Sequence, residues 1–338
     1  MADVFTLDAV PENLVCSFGG NEPRLRVPAG SVVELTTEDC FGGRVRSAGD
    51  LPSSVCDLAG LNPVTGPIFV EGAEPGDTLA VHFAEIRPRR DWAVSSTFPH
   101  FGALTGTGTT AMLHEPLEER VWVYEVDVER GVCRFQARNS EFSVELPLDP
   151  FHGTVGVAPA AGERTMSVTP SAHGGNMDTP ELRAGTTLYL PVHEPGAMLA
   201  IGDGHCRQGE GEVCGTAVEA AMSTTVVVDV LKGEQTAWPR LQSDEFIMST
   251  GSAKPLEDAY RVSQRDMVGW VASLTGLDSL DALQLVSQAG LAPTGNVVDP
   301  NYTMVAKMPT ALLGGPDAVW GGVHARLRAV GREHLERR

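Results

Sequence analysis

Short alternating runs of apolar and polar residues fill most of the first 240 positions. Residues 24–27 and 32–35 read as two strands around the turn Pro28-Ala29-Gly30. Residues 78–86 follow the turn Glu74-Pro75-Gly76-Asp77 and alternate as a half-buried strand does. Residues 121–128 and 140–146 alternate too, and 186–192 leave a turn at Arg183-Ala184-Gly185. Residues 224–231 differ. That run is continuous and β-branched, which predicts a strand buried on both faces. The period changes near residue 256. Leu256, Ala259, Tyr260, Val262, Met267, Trp270 and Val271 fall close to helical spacing, so a helix is predicted over 256–274. A second is predicted over 279–288, closed by Gly290, and a basic helical stretch over 317–338. The expected fold is α+β and mostly β. It is a large β-sandwich or barrel-like scaffold with a small helical element in the C-terminal third. No flexible linker interrupts the chain. Residues 1–240 are expected to form the β-rich catalytic scaffold, with 241–338 packed on the same core as one integrated unit.

Composition agrees with many strands and turns: 338 residues, 42% hydrophobic, only 20% charged, with 37 Gly and 23 Pro. The formal net charge of −19 argues against nucleic acid and against an anionic membrane surface, and favours a neutral small substrate over an anionic one. Met1-Ala2-Asp3-Val4 carries no basic region leading into an apolar stretch, and no apolar run is long enough to span a bilayer. Cys16, Cys40, Cys56, Cys133, Cys206 and Cys214 show no CxxC spacing, so free thiols in a reduced cytoplasm are expected.

Three segments hold more Gly, Asp, Glu and His than a core needs. The first is Thr36-Thr37-Glu38-Asp39-Cys40-Phe41-Gly42-Gly43. There Cys40 could be a nucleophile, a ligand or an inert thiol, and Asp39 a partner or a strand end. The second is His173-Gly174-Gly175-Asn176-Met177-Asp178, which suits a polar site or an Asx turn. The third runs over 202–215 and includes Asp203, His205, Glu210 and Glu212 between glycines. Asp203 and His205 are two apart, so an extended chain points both to one side. A carboxylate and an imidazole meeting there is metal-ligand chemistry, although an acidic turn with a satisfied histidine fits the residues as well. Glu219 is the lone charge in Thr216-Ala217-Val218-Glu219-Ala220-Ala221-Met222. It either faces solvent or meets a cation or a proton-transfer task, because an unpaired buried carboxylate is costly. There is no GxSxG, Walker or HExxH motif. Gly106-Thr107-Gly108-Thr109-Thr110 is glycine-rich without a following Lys, and reads as a loop.

Segments spread over nearly the whole chain resemble the acetamidase/formamidase family, in the family's order. They are Asn62-Pro63-Val64-Thr65-Gly66-Pro67-Ile68, Phe151-His152-Gly153-Thr154-Val155-Gly156-Val157-Ala158-Pro159, His173 to Asp178, and the stretch 202–219. Residues 246–259 and 296–309 resemble it too, while 85–120 and the last twenty residues match poorly. The resemblance implies a homo-oligomeric (dimer or higher) hydrolase that cleaves formamide, acetamide or a similar short amide to ammonia and carboxylate. It also implies a divalent metal, with zinc placed ahead of calcium. Metal-activated water then gives a consistent assignment. Asp39, Asp203 and His205 would ligate the ion, with Asp178 as a fourth, and Glu219 would be the general base and acid. Asn176 would steady the oxyanion. His173, Gly175 and Glu210 would contact substrate. Covalent catalysis by Cys40 or Cys214 is the rival within the class. A non-enzymatic scaffold binding a small polar ligand or an ion is the rival outside it.

Overall fold

The computed structural model describes residues 2–105 and 116–338. The glycine-rich stretch Gly106 to Thr110 lies outside the described residues. Two large, mostly antiparallel sheets dominate. Among the described residues the first has nine strands. Its order is Val4–Leu7, Ser31–Thr36, Met222–Leu231, Thr78–Pro88, Thr187–Pro191, Arg240–Gln242, Phe246–Ala253, Tyr302–Pro309 and Thr294–Asn296. The second has eleven. Its main path runs Ser143–Pro147, Val132–Gln136, Arg120–Asp127, Trp92–Thr97, Glu219–Ala220, Leu199–His205, Phe151–Gly156 and Gly174–Asn176. Val64–Glu71 joins it beside Leu199–His205 and carries Leu14–Val15 and Leu25–Pro28.

The two sheets share one core. Val33, Leu79, Val81, Phe83, Leu188, Val226 and Val228 of the first pack with Ile68, Phe151, Val155, Leu199 and Ile201 of the second. Burying each such side chain contributes about 1.5–3 kcal/mol. The continuous run at 224–231 is explained by parity. Val226 and Val228 enter the inter-sheet core, while Val227 faces the other way, against Val323 and Leu327. Those two belong to the C-terminal helix Val323–Leu335. The strand is therefore buried on both faces, as its pattern predicts.

The helical spacing near 256 gives helix Leu256–Thr275, ended by Gly276 in the left-handed region. The next helix, Ser279–Ala289, begins at Asp278, whose carboxylate accepts from Leu280 N and Asp281 N. Gly290 follows it in an extended conformation, not as a left-handed cap. Met267, Trp270, Val271, Ala282 and Val286 pack on Ile247, Ala306 and Met308 of the first sheet. Among the described residues no helix is long and apolar enough to cross a membrane.

Parts of two of the glycine-flanked segments are strands. Leu199–His205 is buried along its whole length, and Gly174–Asn176 pairs with Phe151–Gly156. Glycine here permits close approach rather than a turn. A Cβ on Gly202 would lie 2.5 Å from Pro63 O, and one on Gly204 would lie 2.2 Å from Met222 Cγ.

Candidate active site

The site forms where strand Leu199–His205 is shared. Its first part pairs with Val64–Glu71, while Gly204 and His205 pair with Ala220 and Glu219. On its other side His152 pairs with Gly204 and Thr154 with Gly202, so Gly153 falls opposite Asp203. This register brings Asp203, His205 and Glu219 together. His205 Nε2 lies 3.2 Å from Asp203 Oδ1, 3.3 Å from Glu219 Oε2 and 4.0 Å from Asp178 Oδ1. Asp178 arrives from the end of Gly174–Asn176. Glu212 completes a group with Asp178 and His205, and Cys40 completes another with Asp203 and Glu219. Within each group the potential ligand atoms lie within 4.8 Å of one another.

Surrounding hydrogen bonds orient these groups. Gln208 Nε2 donates to Asp178 O and Gly295 O, so Gln208 Oε1 is free to accept from His205 Nδ1 at 3.0 Å. That fixes a proton on Nδ1 and turns Nε2 towards the carboxylates. Phe151 packs edge-on against the ring at 4.8 Å. Asn176 Nδ2 donates to Asp178 Oδ2 at 2.7 Å and Asp299 Oδ2 at 2.8 Å, while its Oδ1 accepts from Asn62 Nδ2. Thr154 Oγ1 contacts both Asn176 Oδ1 and Asp203 Oδ2. Glu219 Oε1 accepts from Ala217 N at 2.7 Å.

Five carboxylates, those of Asp178, Asp203, Glu212, Glu219 and Asp299, are thus buried with one imidazole. Among the described residues no lysine or arginine forms an ion pair with any of them. Burial pushes Glu219 up to about 7, with His205 pulling against it. Burial likewise raises Asp299 to about 7, and Asp178 and Glu212 well above the usual carboxylate range. Asp203 is lowered: burial opposes its charge, but His205 overcomes that penalty. Burial pulls His205 down, yet Glu219 and Asp203 outweigh it and raise the imidazole well above its normal value. Burial, then Glu219 and Asp203, keep the Cys40 thiol protonated far above its usual range.

Asp178 Oδ1, Asp203 Oδ1 and Glu219 Oε2 are buried and have no hydrogen-bond partner. Gly153 leaves the room between them. A Cβ there would lie 2.3 Å from Asp178 Oδ1, 2.4 Å from Asp203 Oδ2 and 2.9 Å from His205 Cε1. Oxygen, nitrogen and sulfur donors converging with no lysine or arginine paired to them among the described residues fit a divalent cation. The backbone is unusual at the same place. Asn62, Asp178, Asp203 and Glu212 all have φ between 45° and 55°. That left-handed region is uncommon for residues with a Cβ and clusters at functional sites.

The structure corrects several residue assignments. Asp39 is turned away from the cluster: its Oδ1 accepts from Phe41 N and Gly43 N, and its Oδ2 pairs with Arg90 at 3.0 Å. With those partners it shapes the loop that carries Cys40. Asn176 has given both amide hydrogens to carboxylates and has none left for an oxyanion. His173 packs on Phe18 with ring centroids 5.2 Å apart, Gly175 lies within a strand, and Glu210 is exposed. None of these three lines the cavity that opens onto the cluster. Glu212, Asp299 and Asn62 line it instead. Cys214 does not join the cluster, its sulfur lying 3.4 Å from Ser96 O.

This buried His-carboxylate cluster belongs to a β-rich fold shared with known proteins. The chain belongs to the acetamidase/formamidase family, whose model matches residues 22–162 and 152–310. An acetamidase from Yersinia enterocolitica has a solved structure with TM-score 0.86 and 40% identity, covering 92% of this chain and 93% of that one. An acetamidase from Bacillus halodurans gives TM-score 0.81 and 30% identity, covering 91% of this chain and 98% of that one. An acetamidase of Mycolicibacterium smegmatis is 27% identical over 231 residues, 52% of this chain and 55% of that protein. The chain spans from 55% to 61% of the length of the curated relatives it matches.

Proposed function

We propose that this protein hydrolyses the C–N bond of a small neutral amide, giving ammonia and a carboxylate, at a centre built on Asp203, His205 and Glu219. The observation that carries the reading is the convergence of three buried carboxylate oxygens on Nε2 of His205, above Gly153. Two donor sets would hold the ion, Asp178 with His205 and Glu212, and Cys40 with Asp203 and Glu219. Sulfur and imidazole among the donors favour zinc over calcium. When bound, such a cation supplies Lewis acidity and a water of lowered pKa.

The chain's own groups account for the proton traffic. Glu219 holds a carboxylate near neutrality, so it can take a proton from water and return it to the departing nitrogen. Water's oxygen ends on the acyl carbon, the C–N bond breaks, and nitrogen leaves as ammonia. Asn176 and Thr154 hold Asp178 and Asp203 in place. Attack by Cys40 is disfavoured, because three carboxylates oppose its thiolate.

Ammonia release from acetamide after chelation tests this. Activity should disappear when metal content falls to zero and return with added zinc. Full activity after verified metal removal overturns the metal centre. In the reloaded protein, Glu219→Gln should lower kcat by about 10²- to 10⁴-fold, the range for a general acid–base.

A further inference from the structure

The cavity above the cluster has two unlike halves. Its floor is polar, with Asn62, Asn176, Asp203, Glu212, Glu219 and Asp299. Its wall is apolar, built by Phe41, Leu58, Leu61, Phe98, Phe101 and Met166. Those side chains come from separate parts of the chain, so their meeting is a property of the fold. Leu58 is 63% exposed and Met166 49% exposed at the mouth. Large apolar side chains left to water around a polar site mark a surface that something apolar covers. The enclosed space is about 280 Å³, room for roughly nine waters at bulk density.

Formamide or acetamide would occupy a corner of that space and leave the wall wet. We infer that the amide accepted here carries an acyl group longer than acetyl, a saturated chain whose tail lies on this wall. This rests on the amide-hydrolase reading above and names the substrate class within it. Orientation follows from the floor. Asn62 Oδ1 is buried without a partner, and Glu219 Oε2 is likewise open. Both accept hydrogen bonds, so they receive the two amide N–H groups. The acyl carbon then sits over the cluster with its chain directed towards Phe98, Phe101 and the Leu58–Met166 mouth. The reaction stays balanced as before: water supplies the oxygen, and ammonia leaves from the floor.

The test measures kcat/KM of the metal-loaded protein for formamide, acetamide, butyramide and hexanamide. It should rise by about fourfold per methylene, the transfer preference of one buried CH₂. A steady fall from formamide to hexanamide overturns the inference and leaves amide hydrolysis standing. Silence towards every amide overturns both. Two mouth variants, Leu58→Asp and Met166→Lys, give a ratio that survives partial loss of folded protein. In each, the hexanamide-to-acetamide ratio of kcat/KM should drop at least about fivefold, since a charge replaces apolar contact. An unchanged ratio in both variants overturns the wall as the acyl site.

Discussion

Gly153 shows how much one missing methyl group decides. It has an ordinary backbone, so its glycine is required only by space. A Cβ there would lie within 3 Å of two carboxylates and the imidazole. Gly153→Ala should therefore abolish zinc binding and ammonia release while leaving the circular dichroism spectrum of the folded chain unchanged. Tight zinc binding by the variant would show that the cluster can part without loss. At this scale the sequence was legible in part. Asp178, Asp203, His205 and Cys40 sit in glycine-flanked segments, Glu219 is the lone charge of 216–222, and the structure brings them together. Glu212 was passed over for Glu210, its neighbour two positions away. Nothing local separates the two carboxylates; only the fold buries one and exposes the other. Gln208 lies within 202–215 and Asp299 within 296–309, and nothing local in either stretch singles them out. Their role depends on contacts as distant as Asn176 to Asp299.

The loop carrying Cys40 is the element whose stability bears most directly on the site. Arg90 spans Glu38 at 2.6 Å and Asp39 at 3.0 Å, and its guanidinium stacks on Trp92 at 4.9 Å. Asp39 is fully buried, so removing Arg90 leaves a carboxylate with two backbone donors and no cation. Arg90→Leu should cost about 1–3 kcal/mol, the penalty for an under-satisfied buried group. Urea unfolding would measure it, and an unchanged midpoint would show that the backbone donors suffice. Elements as such were easier to foresee than their ends. The strands at 78–86 and 121–128 and the helix at 256–274 have full periods that local pattern reveals. Leu199–His205 shows no alternating period because two of its positions are glycines, which serve Pro63 and Met222 packing across the sheet.

For the molecule as a whole, the buried carboxylates tie stability to pH. Glu219 and Asp299 have folded pKa values near 7, above the ordinary range, and Asp178 and Glu212 are raised too. Between about pH 4.5 and 7 these four acids bind more protons in the folded metal-free chain than in the unfolded one. Their contribution to stability is fully present below that window and declines as pH rises through it, while burial holds His82 at about 3 and His152 and His173 at about 4, and these contribute in the opposite sense. Thermal denaturation in chelator should therefore show a midpoint that gains less from about pH 4.5 to 7 than that of Glu219→Gln, and added zinc should narrow the difference. Identical trends in the two proteins would contradict the raised pKa of Glu219. The sandwich itself was foreseeable from short alternating runs and the doubly buried stretch at 224–231. The sharing of Leu199–His205 between two neighbouring strands was not, since pairing partners leave no mark on a single strand's pattern.

Four residues around the cluster hold left-handed backbone. Glycine would ease the strain at each, and asparagine at the three acidic ones, but those three would then give up a carboxylate. A search for more rugged variants would find these corners first, and each gain there would come out of the chemistry rather than the scaffold.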